Sequence, residues 1–183
     1  LSGITAGQNR GVTLADEDMT LFTPYARLLA SATASNSATV DFEIAFDSTY
    51  DLYFIEGYAV ALAIPSLSLA VRVKKGGSYL AGTAYEYRDW NGTPVTGQPY
   101  VELFNNTGTV APETLYFKIV IPRPFDTNRR TLFQISGANT DYNLGANPVG
   151  ICTTTGALQG VRFLATSGNI TEGIFKLYGV RKT

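Results

Sequence analysis

The stretch Val161–Arg181, VRFLATSGNITEGIFKLYGVR, limits the possible folds more than any other part of the chain. Val161, Phe163 and Ala165 alternate with Arg162, Leu164 and Thr166. Beyond a polar break at 167–173, Phe175 and Leu177 alternate with Lys176 and Tyr178. Successive side chains of a strand point to opposite faces, so period two on both sides of a Gly/Asn break predicts an antiparallel hairpin with one buried face. Gly168 and Gly173 can supply positive φ at the ends of its loop. A chain that closes on an amphipathic strand needs a partner strand. The expected partner is at the other end of the sequence, Arg27–Phe46, RLLASATASNSATVDFEIAF.

The same reasoning runs through the rest of the chain. Strands are expected at 28–33 and 38–46, joined by a turn at 34–37; Val40, Phe42 and Ile44 oppose Asp41 and Glu43. The run 52–64 reads as a strand with a bulge or close approach at Gly57. The run 67–74 follows it, with a turn at Lys75-Gly76-Gly77-Ser78. A short strand is expected at 101–104. In 114–121, Leu115, Phe117, Ile119 and Ile121 point one way and Tyr116, Lys118 and Val120 the other, and Pro122 stops the run. Further strands are expected at 131–136 and 149–154, separated by a long loop at 137–148. About ten strands at roughly ten-residue spacing, with no helix pattern and no repeat, indicate a sandwich or barrel.

Composition agrees with that class. At 183 residues, 45% of them apolar, the chain is long enough to bury about 70% of its unfolded surface in one domain. A net charge of −1 offers no basic face to nucleic acid or anionic lipid. The lone Cys152 excludes a disulfide framework and reads as a small buried hydrophobe. No apolar run reaches membrane-spanning length. Residues 1–24 are polar and aperiodic, with an acidic cluster at Asp16-Glu17-Asp18, and are expected to form an arm or linker before a domain at 25–183.

Three segments, LLASATASNSATVDF, FDSTYDLYFIEGYAV and GVRFLATSGNITEGIFKLYGVRK, together resemble a recurrent class of bacteriophage virion proteins found in tail fibres, receptor-binding proteins and head appendages. The resemblance covers about residues 26 to 183 and is strongest at the two ends. It implies an all-β, antiparallel two-sheet β-sandwich of jelly-roll type whose N- and C-terminal strands are adjacent. It also implies a homotrimer in the virion, made in the bacterial cytoplasm, with other virion proteins and a host-surface glycan as partners. The resembling segments are strand and turn patterns and carry no catalytic signature.

Catalytic chemistry is sparse in the residues themselves. With no His and one Cys, the chain lacks the parts for Ser-His-Asp or Cys-His nucleophilic systems and for His-ligated or zinc centres. Glu86 and Asp89 are too close in sequence to establish a glycosidase pair. Asp47, Asp51 and the 16–18 cluster match no calcium-loop spacing, and no cofactor or metal is expected. Asn91-Gly-Thr93, Asn105-Asn-Thr107 and Asn169-Ile-Thr171 fit the glycosylation pattern but read as turns. The richest segment is Tyr85, Tyr87, Arg88, Asp89, Trp90 and Asn91, with Tyr142 in the long loop as a second candidate. Aromatic faces beside planar polar groups suit core burial, a subunit interface or glycan contact. The expectation is a non-enzymatic virion protein, the receptor-binding domain of a tail fibre or similar appendage. The alternatives are a head-decoration or connector protein without a host ligand, and a carbohydrate-binding module of a larger depolymerase.

Overall fold

The structure, a computed structural model, describes residues 26–44, 46–64, 66–89, 91–107, 114–140, 144–146 and 149–181. The expected arm at 1–24 lies outside them. Strands occupy most of the described chain: β1 (Ala26–Ser37), β2 (Thr39–Phe42), β3 (Tyr50–Leu62), β4 (Leu67–Lys75), β5 (Ser78–Tyr79), β6 (Tyr85–Arg88) and β7 (Pro94–Gln98), then β8 (Val101–Thr107), β9 (Leu115–Pro122), β10 (Arg130–Asn139), β11 (Leu144–Ala146), β12 (Val149–Thr155), β13 (Gly160–Ala165) and β14 (Ile170–Arg181). They form two antiparallel sheets. The large sheet runs β1-β14-β3-β9-β10-β12-β6-β7, with β11 also on β10; the small one runs β2-β13-β4-β5, with β8 also on β4. The protein is an antiparallel two-sheet sandwich of jelly-roll type.

The first and last strands are neighbours, and Ala26 stands opposite Val180. The expected terminal hairpin, however, does not form. β13 belongs to the small sheet, where it pairs with β2 and β4; β14 belongs to the large one, where it pairs with β1 and β3. Residues 166–169 form a corner between sheets. The other partner segment makes the same jump, so β1 follows β14 in one sheet and β2 follows β13 in the other. The two corners touch: Asn169 Nδ2 donates to the Asn36 carbonyl at 3.1 Å and to its Oδ1 at 3.0 Å. Asn36 takes a φ of 51°, a region Asn tolerates better than most residues. The turn expected at 34–37 is therefore strand as far as Ser37, because Ala34 and Ser35 still pair with Gly173 and Glu172.

Between the sheets, Phe117 and Phe175 from the large sheet meet Phe163 from the small one, with ring centroids 5.0–5.9 Å apart. Phe104 and Phe42 flank them. Each buried ring contributes about 1.5–3 kcal/mol. Glycine makes room for this cluster. Across the large sheet the register reads Phe175, Gly57, Phe117, Gly137 on four adjacent strands. A Cβ on Gly57 would overlap the Phe117 ring, and one on Gly137 would overlap the Phe104 ring and the Tyr116 carbonyl. Gly57 thus gives the close approach its sequence context predicts, followed by a register shift before Val60. Gly137 corrects the expected loop: 137–139 continue β10 and pair with both β9 and β11.

Among the described residues, one cation is enclosed. Lys75, 5% exposed, donates from Nζ to the Thr154 carbonyl at 2.8 Å, and burial holds its ammonium below the ordinary lysine value. Cys152 is fully buried nearby, as its sequence context suggests, and burial pushes its thiol up.

Candidate functional site

The segment singled out by composition divides among different tasks. Tyr85 is wholly buried, and its hydroxyl accepts the Val73 amide at 2.8 Å while donating to the Leu80 carbonyl at 3.3 Å. Burial raises its phenol well above the ordinary range. Tyr87 packs against the core and donates to Glu102 Oε2 at 3.2 Å. Asp89 shapes a turn: its Oδ1 accepts the amides of Asn91 and Thr93 at 2.9 and 2.8 Å. Arg88 closes the same turn by donating to the Gly92 carbonyl at 2.7 Å. Asn91 is exposed on that turn. Trp90 and Tyr142 lie outside the described residues. Arg88 and Tyr87 do line a shallow hollow of about 200 Å³ with Glu86, Val95, Val149 and Ile151. Of the calcium candidates, Asp47 accepts the Thr49 amide at 2.8 Å, which holds its carboxyl below the usual range and uses it in a turn.

The richest constellation lies on the outer face of the large sheet. Three rows of side chains cross it, two residues apart along each strand. In the first, register places Leu28, Tyr178, Phe54, Val120 and Gln134 side by side from β1 to β10. In the second stand Lys176, Glu56, Lys118 and Ser136. In the third, Ile174 stands beside Tyr58, and Tyr116 beside Ala138. Alternation explains the layout, since each of these strands gives its other side chains to the core.

The rows lock together. Phe54 and Tyr178 stack at 4.7 Å with planes 16° apart; Tyr58 and Tyr116 meet edge to face at 4.6 Å and 88°. Between these pairs runs the charged row, positive-negative-positive. Lys118 Nζ lies 3.9 Å from the Phe54 ring centroid and 3.6 Å from Glu56 Oε1, and Lys176 lies 5.4 Å from the Tyr58 centroid. The Tyr58 hydroxyl donates to Glu56 Oε2, and this bond raises the phenol above its ordinary range. Such half-exposed pairs each contribute about 0.2–1 kcal/mol, enough to fix side-chain positions but little stability. Tyr116 is 55% exposed, and Leu28 and Ile174 are also open to solvent.

The outer face of the small sheet differs. There Arg162 is held bidentately by Asp41 at 2.9 and 2.6 Å and stacks 3.8 Å from the Tyr79 centroid. Arg72 donates to the Pro99 carbonyl at 2.9 Å, and Lys74 pairs with Glu43 at 3.0 Å. Its cations are committed to holding strands together. Among the described residues no group of three acidic, Cys or His side chains is placed to hold a metal ion.

The sequence already shows Tyr116, Lys118, Lys176 and Tyr178 as outward positions. It gives no sign that β3 lies between β9 and β14, and that placement brings all four onto one patch with Phe54, Glu56 and Tyr58.

No family model matches the chain, and no curated protein matches it. Among solved structures, the chain is similar to the crystal structure of endo-β-1,4-glucuronan lyase from the fungus Trichoderma reesei. The identity is 9%, the match covers 88% of this chain and 89% of that one, and the TM-score is 0.31.

Proposed function

We propose that this chain is a non-enzymatic attachment domain of a bacteriophage virion, the receptor-binding end of a tail fibre or similar appendage. It would hold the host through the outer face of its large sheet. The observation that carries this reading is the three-row lattice of rings and alternating charge on a solvent-facing sheet. Rigid amphipathic rings give contact area at low entropic cost, and interleaved charges give polar recognition. The virion setting rests on the resemblance of the terminal segments. In a homotrimer three such faces act together, and effective concentration turns weak single contacts into firm adhesion.

A second reading has one observation in its favour. Leu28 and Ile174 are exposed apolar groups at the β1 side of the same face, which suits a protein contact in a head-decoration or connector role. One experiment separates the two. The domain is coated on beads and tested against a panel of bacterial strains and a bacterial glycan array, beside Tyr116→Ala. Attachment to a subset of strains, weakened by the substitution, is the expected result. Beads that attach to no strain and no glycan overturn the adhesion reading and leave the structural one.

A further inference from the structure

The lattice is not level. On β9 the outward side chains Tyr116 and Lys118 are tall, and the residues opposite them on β10, Ala138 and Ser136, are short. Tall beside short at successive outward positions leaves a step. The resulting depression, about 260 Å³, is lined by Tyr116, Lys118, Glu56, Ser136, Gly137 and Ala138. We infer that this step is a saccharide subsite that takes one pyranose ring, stacked on Tyr116 and held at its hydroxyls by Glu56, Lys118 and Ser136. The inference rests on the attachment reading above and names its ligand class.

The argument is one of matching chemistry. A pyranose has an apolar C–H face and a rim of hydroxyls that donate and accept. Tyr116 offers an aromatic wall whose orientation is fixed by its edge-to-face contact with Tyr58. Glu56 offers an acceptor, Lys118 a donor, and Ser136 a hydroxyl that does both. Glu56 and Lys118 stand 3.6 Å apart, longer than a direct hydrogen bond, so each keeps capacity for a ligand. The tilt of Glu56 is set by the Tyr58 hydroxyl. The volume falls below the roughly 300–1,000 Å³ of pockets for larger ligands, which suits one ring bound weakly and repeated across copies. A second copy of this chain is the competing occupant. It is disfavoured because it would strip water from the charged row in the middle of the face.

The test follows backbone amide resonances of the labelled domain during titration with methyl α-D-glucopyranoside, methyl α-D-galactopyranoside, methyl α-D-mannopyranoside and N-acetylglucosamine, each taken to tens of millimolar. Saturable shifts at Ser136, Gly137 and Ala138 with at least one sugar are expected. The response should weaken about tenfold or more in Tyr116→Ala and persist in Tyr116→Phe, since stacking uses the ring. Tyr100→Ala, in the link between β7 and β8 with its ring beside Arg72 of the small sheet, should behave as the parent. No shift with any of the four sugars overturns the subsite, as does movement of the same amides on raising protein concentration alone. If beads bearing Tyr116→Ala still attach to host cells as the parent does, the subsite fails while attachment stands; if the parent itself attaches to nothing, both fail.

Discussion

Gly57 shows how one missing side chain organises this core. It lies in register between Phe175 and Phe117, and the Phe117 ring occupies the space a methyl group would need. Gly57→Ala is expected to cost about 1–3 kcal/mol through overpacking, read as a lower urea midpoint with unchanged slope. The sequence makes Gly57 legible because a lone Gly inside an apolar run asks for a reason. Gly137 is not legible, because what it accommodates, Phe104, belongs to the other sheet. Core burial, one of the three readings open for Tyr85 in the sequence, is the one its place in the fold takes; alternation puts Tyr85 and Tyr87 on one face but cannot say that the face is inward. Tyr85→Phe leaves the buried Val73 amide without its acceptor and should cost about 1–3 kcal/mol at neutral pH. That gap narrows in alkali. Burial raises the folded phenol above its ordinary value of 10.0, so above that pH the unfolded chain ionises first and binds fewer protons than the folded one. Stability then falls as pH rises, and the parent loses more of it than the variant. Thermal midpoints measured from pH 7 to 11 check both the sign and the difference.

Among elements, β1 is the most exposed to misuse. It ends the large sheet, and no described strand covers its outer edge. Between Leu28 and Val40 the sequence carries no charge and no proline, the devices that usually discourage edge-to-edge pairing. Its built-in protection is a register shift between Leu28 and Ala30 and the positive φ of Asn36. Thr33→Lys, at an exposed position, should change stability by less than about 0.5 kcal/mol. It should also reduce aggregation of concentrated domain, measured by light scattering; unchanged aggregation would show that the edge is not its route. Period two made β2, β9 and β14 readable as strands with assigned faces. It could not separate a hairpin from a corner, since Ser167-Gly168-Asn169 serves either, and the difference lies in which sheet each arm finds.

The molecule as a whole is closed by its ends. β14 sits between β1 and β3, so its loss takes from β1 its described partner in the large sheet and leaves β3 paired with β9 alone. A chain ending at Asn169 is expected to give no protease-resistant core and no cooperative thermal transition. Because this closure joins residues at opposite ends of the sequence, folding should be slow for the domain's size, on the order of milliseconds to seconds by stopped-flow fluorescence. The adjacency of the ends was legible because two amphipathic segments lacked any nearer match. The large sheet's outer face was not legible, because its lattice depends on strand order, which no local pattern encodes.

Ala26 opposite Val180 also decides how tension would travel. A particle tethered through residues 1–25 and gripping a surface with its large sheet would load β1 first. Tension directed along that strand is shared by all the rungs it makes with β14, which must give way together, whereas tension across it breaks them one at a time. The grip would therefore be strong in one direction of drag and weak in another, set by the angle at which the tether leaves that corner.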